Sequence, residues 1–314
     1  MIIWGAVTII IGGCVFVFLP DNNDSRWLRL TVTEKDLVKK RTSESGLVLD
    51  KSFKTHHIYE TLKEPRFYCY FMITVLLFLQ NGCMGNYSSQ IIKEAGFTVC
   101  VKLLHWWILQ NITWVLTYAY FFVTQSLNAI LLNIPRGIIA IIVTIIAVYS
   151  SYRTQDIGRI GALMCVFSFT GPLILHVVPK GSVRLLGVYT STIMPAYILT
   201  IASCSCNVSG YTKRTFYNAR IYIGLCIGNF VGPLMMLEYE SPRFLSALKG
   251  YMIADLIAGA LFVYIYWIHH RENKARQLLQ NEGRLPPIFP DRDQKDLTDI
   301  EDIHYMYIAW RQSK

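Results

Sequence analysis

The chain has 314 residues, of which 53% are hydrophobic and 16% charged, with a mean hydropathy of +0.35. That is too apolar for a soluble domain of this size and points to an all-α, multi-pass membrane protein embedded in a lipid bilayer. The net charge of +9 invites a nucleic acid, but the basic residues gather in loops between apolar runs, where membrane topology accounts for them, so no nucleic-acid partner is expected.

A helix needs roughly 20 apolar residues to cross a hydrocarbon core. Runs near that length stand at 2–19, 67–92, 129–151, 160–178, 185–204, 221–237 and 248–268, which makes seven spans. An eighth run, 99–125, holds a single formal charge, Lys102. The first run has no basic residue ahead of its apolar core and basic residues after it, so it reads as a span entering the cytoplasm rather than a cleaved signal. Residues 21–66 carry ten Lys and Arg, including Lys39, Lys40 and Arg41, and are expected to be cytoplasmic.

If 99–125 does not cross, the later loops alternate as the positive-inside rule requires. Arg153 and Arg159 fall inside, and Lys180 and Arg184 outside. Lys213, Arg214 and Arg220 fall inside, and Arg243 with Glu238 and Glu240 outside. His269, His270, Arg271, Lys274 and Arg276 then fall inside with the C-terminus. If 99–125 does cross, every one of these assignments inverts. The charge bias therefore predicts that this run does not cross.

Polar residues inside the spans carry the chemistry. LQNGCMGNYSSQ, 79–90, places Gln80 about 14 residues past Arg66, roughly 20 Å along a helix and beyond mid-depth. Gln80, Asn81 and Asn86 can donate hydrogen bonds to a carboxylate or between helices, while Gly82 and Gly85 allow bending or close packing. Asn229 lies in GNFVGP, where Gly228, Gly232 and Pro233 would permit a kink and Asn229 could serve freed carbonyls or a substrate. Tyr197, after Pro195, lines a cavity or packs. Asp255 is the one clear carboxylate inside an apolar span, a possible intramembrane charge. It lies only about two turns from the outer end, so an interfacial residue reaching water is equally open, and it is not assigned as the proton carrier.

Lys213 and Arg214 occupy a turn where they can pair with helix C-terminal carbonyls or lipid headgroups. The eight cysteines show no CxxC pair and no metal spacing, which fits buried structural roles. The histidine pairs 56–57 and 269–270 fall in solvated loops, and no HExxH, GxSxG or phosphate loop is present. No enzyme activity, cofactor or metal is expected.

GYTKRTFYNARIYIGLCIGNFVGP, 210–233, resembles the segment joining the tenth and eleventh helices of the fungal allantoate permease family, anion:cation symporters of the major facilitator superfamily. Gly210, Thr212 to Arg214, Asn218, Ala219, Gly228, Asn229, Gly232 and Pro233 carry the resemblance. FLPD (18–21), GNYSSQIIKEAGF (85–97), HHREN (269–273) and DLTDIEDIHYMY (296–307) extend it over nearly the whole chain except 99–125. The resemblance implies a partial major facilitator fold, about seven helices corresponding to family helices 6–12. Residues 1–20 would be helix 6 and 21–66 the cytoplasmic central loop. Residues 67–268 would be the C-terminal six-helix half with an atypical insert at 99–125, and 269–314 a cytoplasmic tail.

It also implies a permease in the plasma membrane that takes up a small organic anion with protons: an allantoate-like ureide, a carboxylate vitamin or a small peptide. Gln80, Asn81, Asn86, Tyr197 and Asn229 are then the candidate substrate contacts, and Gly210, Lys213, Arg214, Gly228, Gly232 and Pro233 structural or gating residues. The oligomeric state is left open.

Deleting 99–125 gives GFT–SLNAILLNIPRG, the continuous family pattern. Val99-Cys100 can be encoded by a fungal intron start, GTATGT, and 121–125 by a pyrimidine-rich intron end, so a translated intron of 27 codons is expected there. The alternative function is that of a truncated, non-transporting membrane protein, from a pseudogene or an incomplete gene with a retained intron.

Overall fold

The computed structural model describes residues 9, 12–13, 31–44, 54–94, 134–178, 183–240, 243–284 and 297–307. Among these the regular structure is helical. The helices are α1 (Val32–Glu44), α2 (Thr55–Lys63), α3 (Pro65–Glu94), α4 (Ile134–Thr154), α5 (Ile157–Val177), α6 (Val183–Thr190), α7 (Met194–Asn207), α8 (Tyr211–Leu234) and α9 (Leu245–Asn281). Among the described residues four segments are long and apolar enough to cross a membrane: Pro135–Thr154, Ile157–Val177, Val183–Asn207 and Leu245–Asn281. Helix α8 is of similar length but carries Lys213, Arg214, Arg220 and Asn229.

Local chemistry sets the helix ends. Pro65 begins α3, where its missing N–H costs nothing. Asp156 caps α5 by accepting from the Arg159 backbone N–H at 3.1 Å. Gly210 starts α8 at φ +92°, a conformation suited to glycine.

The burial pattern matches a lipid solvent. Helix α4 exposes Ile138, Ile141, Ile142, Ile145 and Ile146, with Ile141 at 62% and Ile145 at 63%. A broad aliphatic face of this kind would drive aggregation in water but is at home in a bilayer. The interior is built from Tyr70, Ile73, Leu77 and Phe78 of α3 packed with Tyr217 and Ile221 of α8 and Phe262 and Ile265 of α9.

The helices share a charged end. Helices α3 and α8 run parallel, with Arg220 donating to the Phe67 carbonyl near one end and Asn81 meeting Asn229 further along. Helix α9 runs the other way, bringing Glu272 to Arg66. Helix α5 is antiparallel to α9, since Arg159 lies over Tyr266 and Cys165 beside Gly259.

This arrangement bears on residues 95–133. Helix α3 leaves the charged end and α4, joined to α5 by a two-residue turn, returns to it. Arg136 at the start of α4 accordingly lies near Cys83 in the distal half of α3. The described chain thus stops and resumes at the same end of the bundle. Residues 99–125 themselves, like most of 1–20, lie outside the described residues.

Candidate functional site

Two polar constellations sit in the bundle, one at mid-depth and one at the charged end. The mid-depth layer begins at Gln80, which is 1% exposed. Its Nε2 donates to Ser191 Oγ at 2.5 Å, and its Oε1 accepts from Ser168 Oγ at 3.4 Å. Ser191 belongs to a gap in a span that the sequence reads as continuous: α6 ends at Thr190, residues 191–193 are not helical, and α7 starts at Met194 with Pro195 in its first turn. Ser191, Thr192 and Ile193 are all buried. Irregular backbone at membrane depth is tolerated only where protein or a cavity satisfies it, and broken helices of this kind line the sites of secondary transporters.

One residue further along α3, about 100° around the helix, the half-buried Asn81 donates through Nδ2 to Asn229 Oδ1 of α8 at 3.1 Å. The backbones approach closely here. A Cβ on Gly82 would lie 2.7 Å from the Asn229 carbonyl oxygen, one on Gly228 2.6 Å from that of Val75, and one on Gly232 would collide with that of Leu79. Helix α8 continues unbroken through Gly228 and Gly232, with Pro233 in its last turn. These glycines therefore make a tight helix crossing where the sequence allowed a kink.

Tyr197 is half-buried, its ring edge-on to Phe78 at 4.8 Å. Asn86 lies on α3, with its side chain outside the described part. Asp255 is not the water-reaching residue that its distance from the span end left open. It is 1% exposed, beside Ser168 and Cys165 of α5, and neither carboxylate oxygen has a hydrogen-bond partner among the described residues.

The charged end holds a buried ion network. Lys213, fully enclosed, reaches Glu60 and Asp299 at 2.7 Å and also Glu64. Arg66 pairs with Glu64 at 3.1 Å, Asp299 at 3.0 Å and Glu272 at 3.6 Å. Tyr217 donates to Glu64 and Tyr307 to Asp299, each at 2.7 Å. The carboxylates of Glu60, Glu64 and Asp299 converge closely enough to hold a metal ion, but the Lys213 ammonium already sits among them. Burial alone would raise the Asp299 carboxyl; Arg66 and Lys213 outweigh it and hold the group below its ordinary value.

Residues 297–307 form a strap across this end. Ser209 donates to the Leu297 carbonyl at 3.0 Å, Thr298 to Glu60 at 3.1 Å, and Tyr305 to the Cys206 carbonyl at 2.7 Å. Asn273 and the Tyr307 backbone exchange two hydrogen bonds of 2.9 Å, and His269 stacks on the Tyr307 ring at 4.8 Å. Arg214 donates to the Ser205 carbonyl near the end of α7, one of the roles open to it in the sequence. Lys213 binds carboxylates instead, and His57 and His269, expected in solvated loops, are 2% and 3% exposed.

Comparison with known proteins places these features in context. Over 98% of its length the chain is 30% identical to an uncharacterized transporter of Schizosaccharomyces pombe, covering 56% of that protein. It is 27% identical to the thiamine pathway transporter of Saccharomyces cerevisiae over 97% of the chain and 53% of that protein. It is 23% identical to the allantoate permease of the same yeast over 98% of the chain and 53% of that protein. The chain is related to fungal transporters. It spans about half the length of these relatives. No family model matches it, and no solved structure does so at a significant level. Transporter relatives and apolar helices together make it a multi-pass membrane protein.

Proposed function

We propose that the chain forms the C-terminal helical part of a major facilitator transporter of the allantoate permease family, taking up a small organic anion together with protons. The observation that carries this reading is the alignment of nearly the entire chain with proteins named as transporters, the allantoate permease among them. The broken span at 191–193 and the amide pair of Asn81 and Asn229 support it, since amide donors at mid-depth suit a carboxylate. Asn81, Asn229, Tyr197 and Asn86 are the candidate contacts, while Gln80 holds the gap through Ser191. Gly228, Gly232 and Pro233 shape the α3–α8 crossing. Gly210, Lys213 and Arg214 belong to a gate region at the charged end, which with the C-terminus faces the cytoplasm of a plasma-membrane protein.

The test is uptake of labelled allantoate, nicotinate and a dipeptide by a fungal cell lacking its own permeases and expressing the chain. The expected result is accumulation of one of these, abolished by a protonophore and lowered by Asn81→Ala. Absence of accumulation of all three would overturn the substrate range, and accumulation indifferent to the protonophore would overturn proton coupling.

A further inference from the structure

The mid-depth layer contains a buried acid with the Ser168 hydroxyl beside it. Asp255 is buried, and among the described residues neither oxygen has a hydrogen-bond partner. Two helices pack most closely on α9 around it, α5 and α3. Among their described titratable groups, Cys165 lies beside Asp255, Arg159 pairs with Asp156 and lies over Tyr266, Arg66 pairs with Glu64, Glu272 and Asp299, Tyr70 bonds Ser203, and Cys83 meets Met236. His176 stands near the far end of α5, eight residues beyond Ser168. An ionised carboxylate in such a place, with no cation paired to it among the described residues, costs several kcal/mol at about the scale of a buried unpaired ion.

The direction of the neighbouring hydrogen bonds adds a second observation. Ser168 gives its proton to Gln80 Oε1, and Gln80 gives one of its amide protons to Ser191 Oγ. Ser168 Oγ is therefore left as an acceptor on the side of Asp255. A protonated Asp255 turned toward the neighbouring Ser168 would complete a one-way chain of donors: carboxyl to Ser168, Ser168 to Gln80, Gln80 to the helix gap. An ionised Asp255 would draw the single Ser168 proton to itself and leave Gln80 Oε1 without its donor.

We propose that Asp255 is an exchangeable proton site coupled through Ser168 and Gln80 to the break between α6 and α7. In the released state, reached when the bundle opens to admit water beside Asp255, the O–H bond of the carboxyl breaks, the proton passes to that water, and the carboxylate accepts the Ser168 hydroxyl proton as a hydrogen bond. Gln80 then loses its hold on Ser168, and the gap at Ser191 loses one of its fixed neighbours. Proton loading thereby acts on the one irregular stretch of backbone in the described membrane-depth helices. The inference rests on the transporter reading for its purpose but not for its chemistry.

The test is infrared spectroscopy of the purified full chain in lipid vesicles, following the carbonyl stretch of a protonated carboxyl as pH is raised and lowered. The expected result is a band that disappears reversibly as the medium becomes alkaline and is missing from Asp255→Asn. Ser168→Ala, which keeps the acid and removes its acceptor, should shift the band to higher frequency. A band unaffected by both variants, or one that stays constant from about pH 5 to about pH 10, would overturn the proposal. The measurement needs no transported solute, so its failure leaves the transporter reading standing, whereas a titrating band in a chain that accumulates nothing would count against that reading alone.

Discussion

Replacing Lys213 by methionine keeps the length and most of the volume of the side chain and removes only its charge. In the native bundle the ammonium is enclosed with Glu60, Glu64 and Asp299, whose side chains are 13%, 7% and 1% exposed. Without it, Arg66 alone must balance the two most buried acids, which it already contacts at 3.1 and 3.0 Å. Glu60 can turn to water, so the penalty falls on Glu64 and Asp299. Removing one partner of a buried charge group costs roughly 3–5 kcal/mol, or a drop of roughly 6–20 °C in the unfolding midpoint at about 2–4 °C per kcal/mol. Thermal unfolding of the purified chain in detergent reads this directly. A second variant, Asp299→Asn in the Lys213→Met background, should recover part of the loss because it removes one stranded charge. A midpoint for Lys213→Met within about 2 °C of the parent would refute the picture of a cation that holds this end together.

The strap should be insensitive to pH across the physiological range. The Asp299 carboxyl is held below its ordinary value of 3.8, so its stabilising contribution is present above that pH and is lost only as the pH falls through the depressed value. Hydrogen exchange of residues 297–307 should stay slow from about pH 8 to about pH 5 and accelerate only in stronger acid. Loss of protection near neutrality would contradict the ion network. Asn81→Ala and Asn229→Ala should each destabilise modestly and non-additively, with a coupling near 0.6 kcal/mol, about the average for hydrogen bonds between membrane helices. Additive losses in a double-mutant cycle would mean that the two amides do not interact. Gly228→Val should cost roughly 1–3 kcal/mol through overpacking, because the added atoms meet the Val75 carbonyl and Phe78; a neutral result would rule out the tight crossing. The messenger RNA should lack the codons for 99–125, and complementary DNA that retains them would end the intron explanation.

Four of the seven runs, 129–151, 160–178, 185–204 and 248–268, were legible as spans because hydropathy averaged over a bilayer's thickness is insensitive to local detail; 67–92 and most of 221–237 are helical but are not among the four, and 2–19 lies largely outside the described residues. The same averaging hid the gap at 191–193, since Ser191 and Thr192 are too few to dent the mean of an apolar run. Pro195 was the sole local hint, as proline favours the first turn of a helix. The side of each loop could be argued from charge, but not what the charges bind. Lys213 and Asp299 are 86 residues apart and meet only through the bundle, so a lysine that looked like a lipid or carbonyl partner became the centre of a buried network. Glycine spacing in α8 announced something special about the backbone; whether that was a bend or a close approach depended on α3, which the sequence of α8 does not contain.

Residues 297–307 are synthesised after every helix they hold. Glu60, Arg66, Cys206, Ser209, Lys213 and Asn273 all reach their final partners only when this segment arrives. The membrane helices can be inserted one by one as they emerge, but the charged end stays open until the strap docks. A bundle whose strap is in place has therefore been translated at least as far as Tyr307, whereas one cut short would keep Lys213 with Glu60 and Glu64 and Arg66 with Glu64 and Glu272 but lack the acid that joins the two cations.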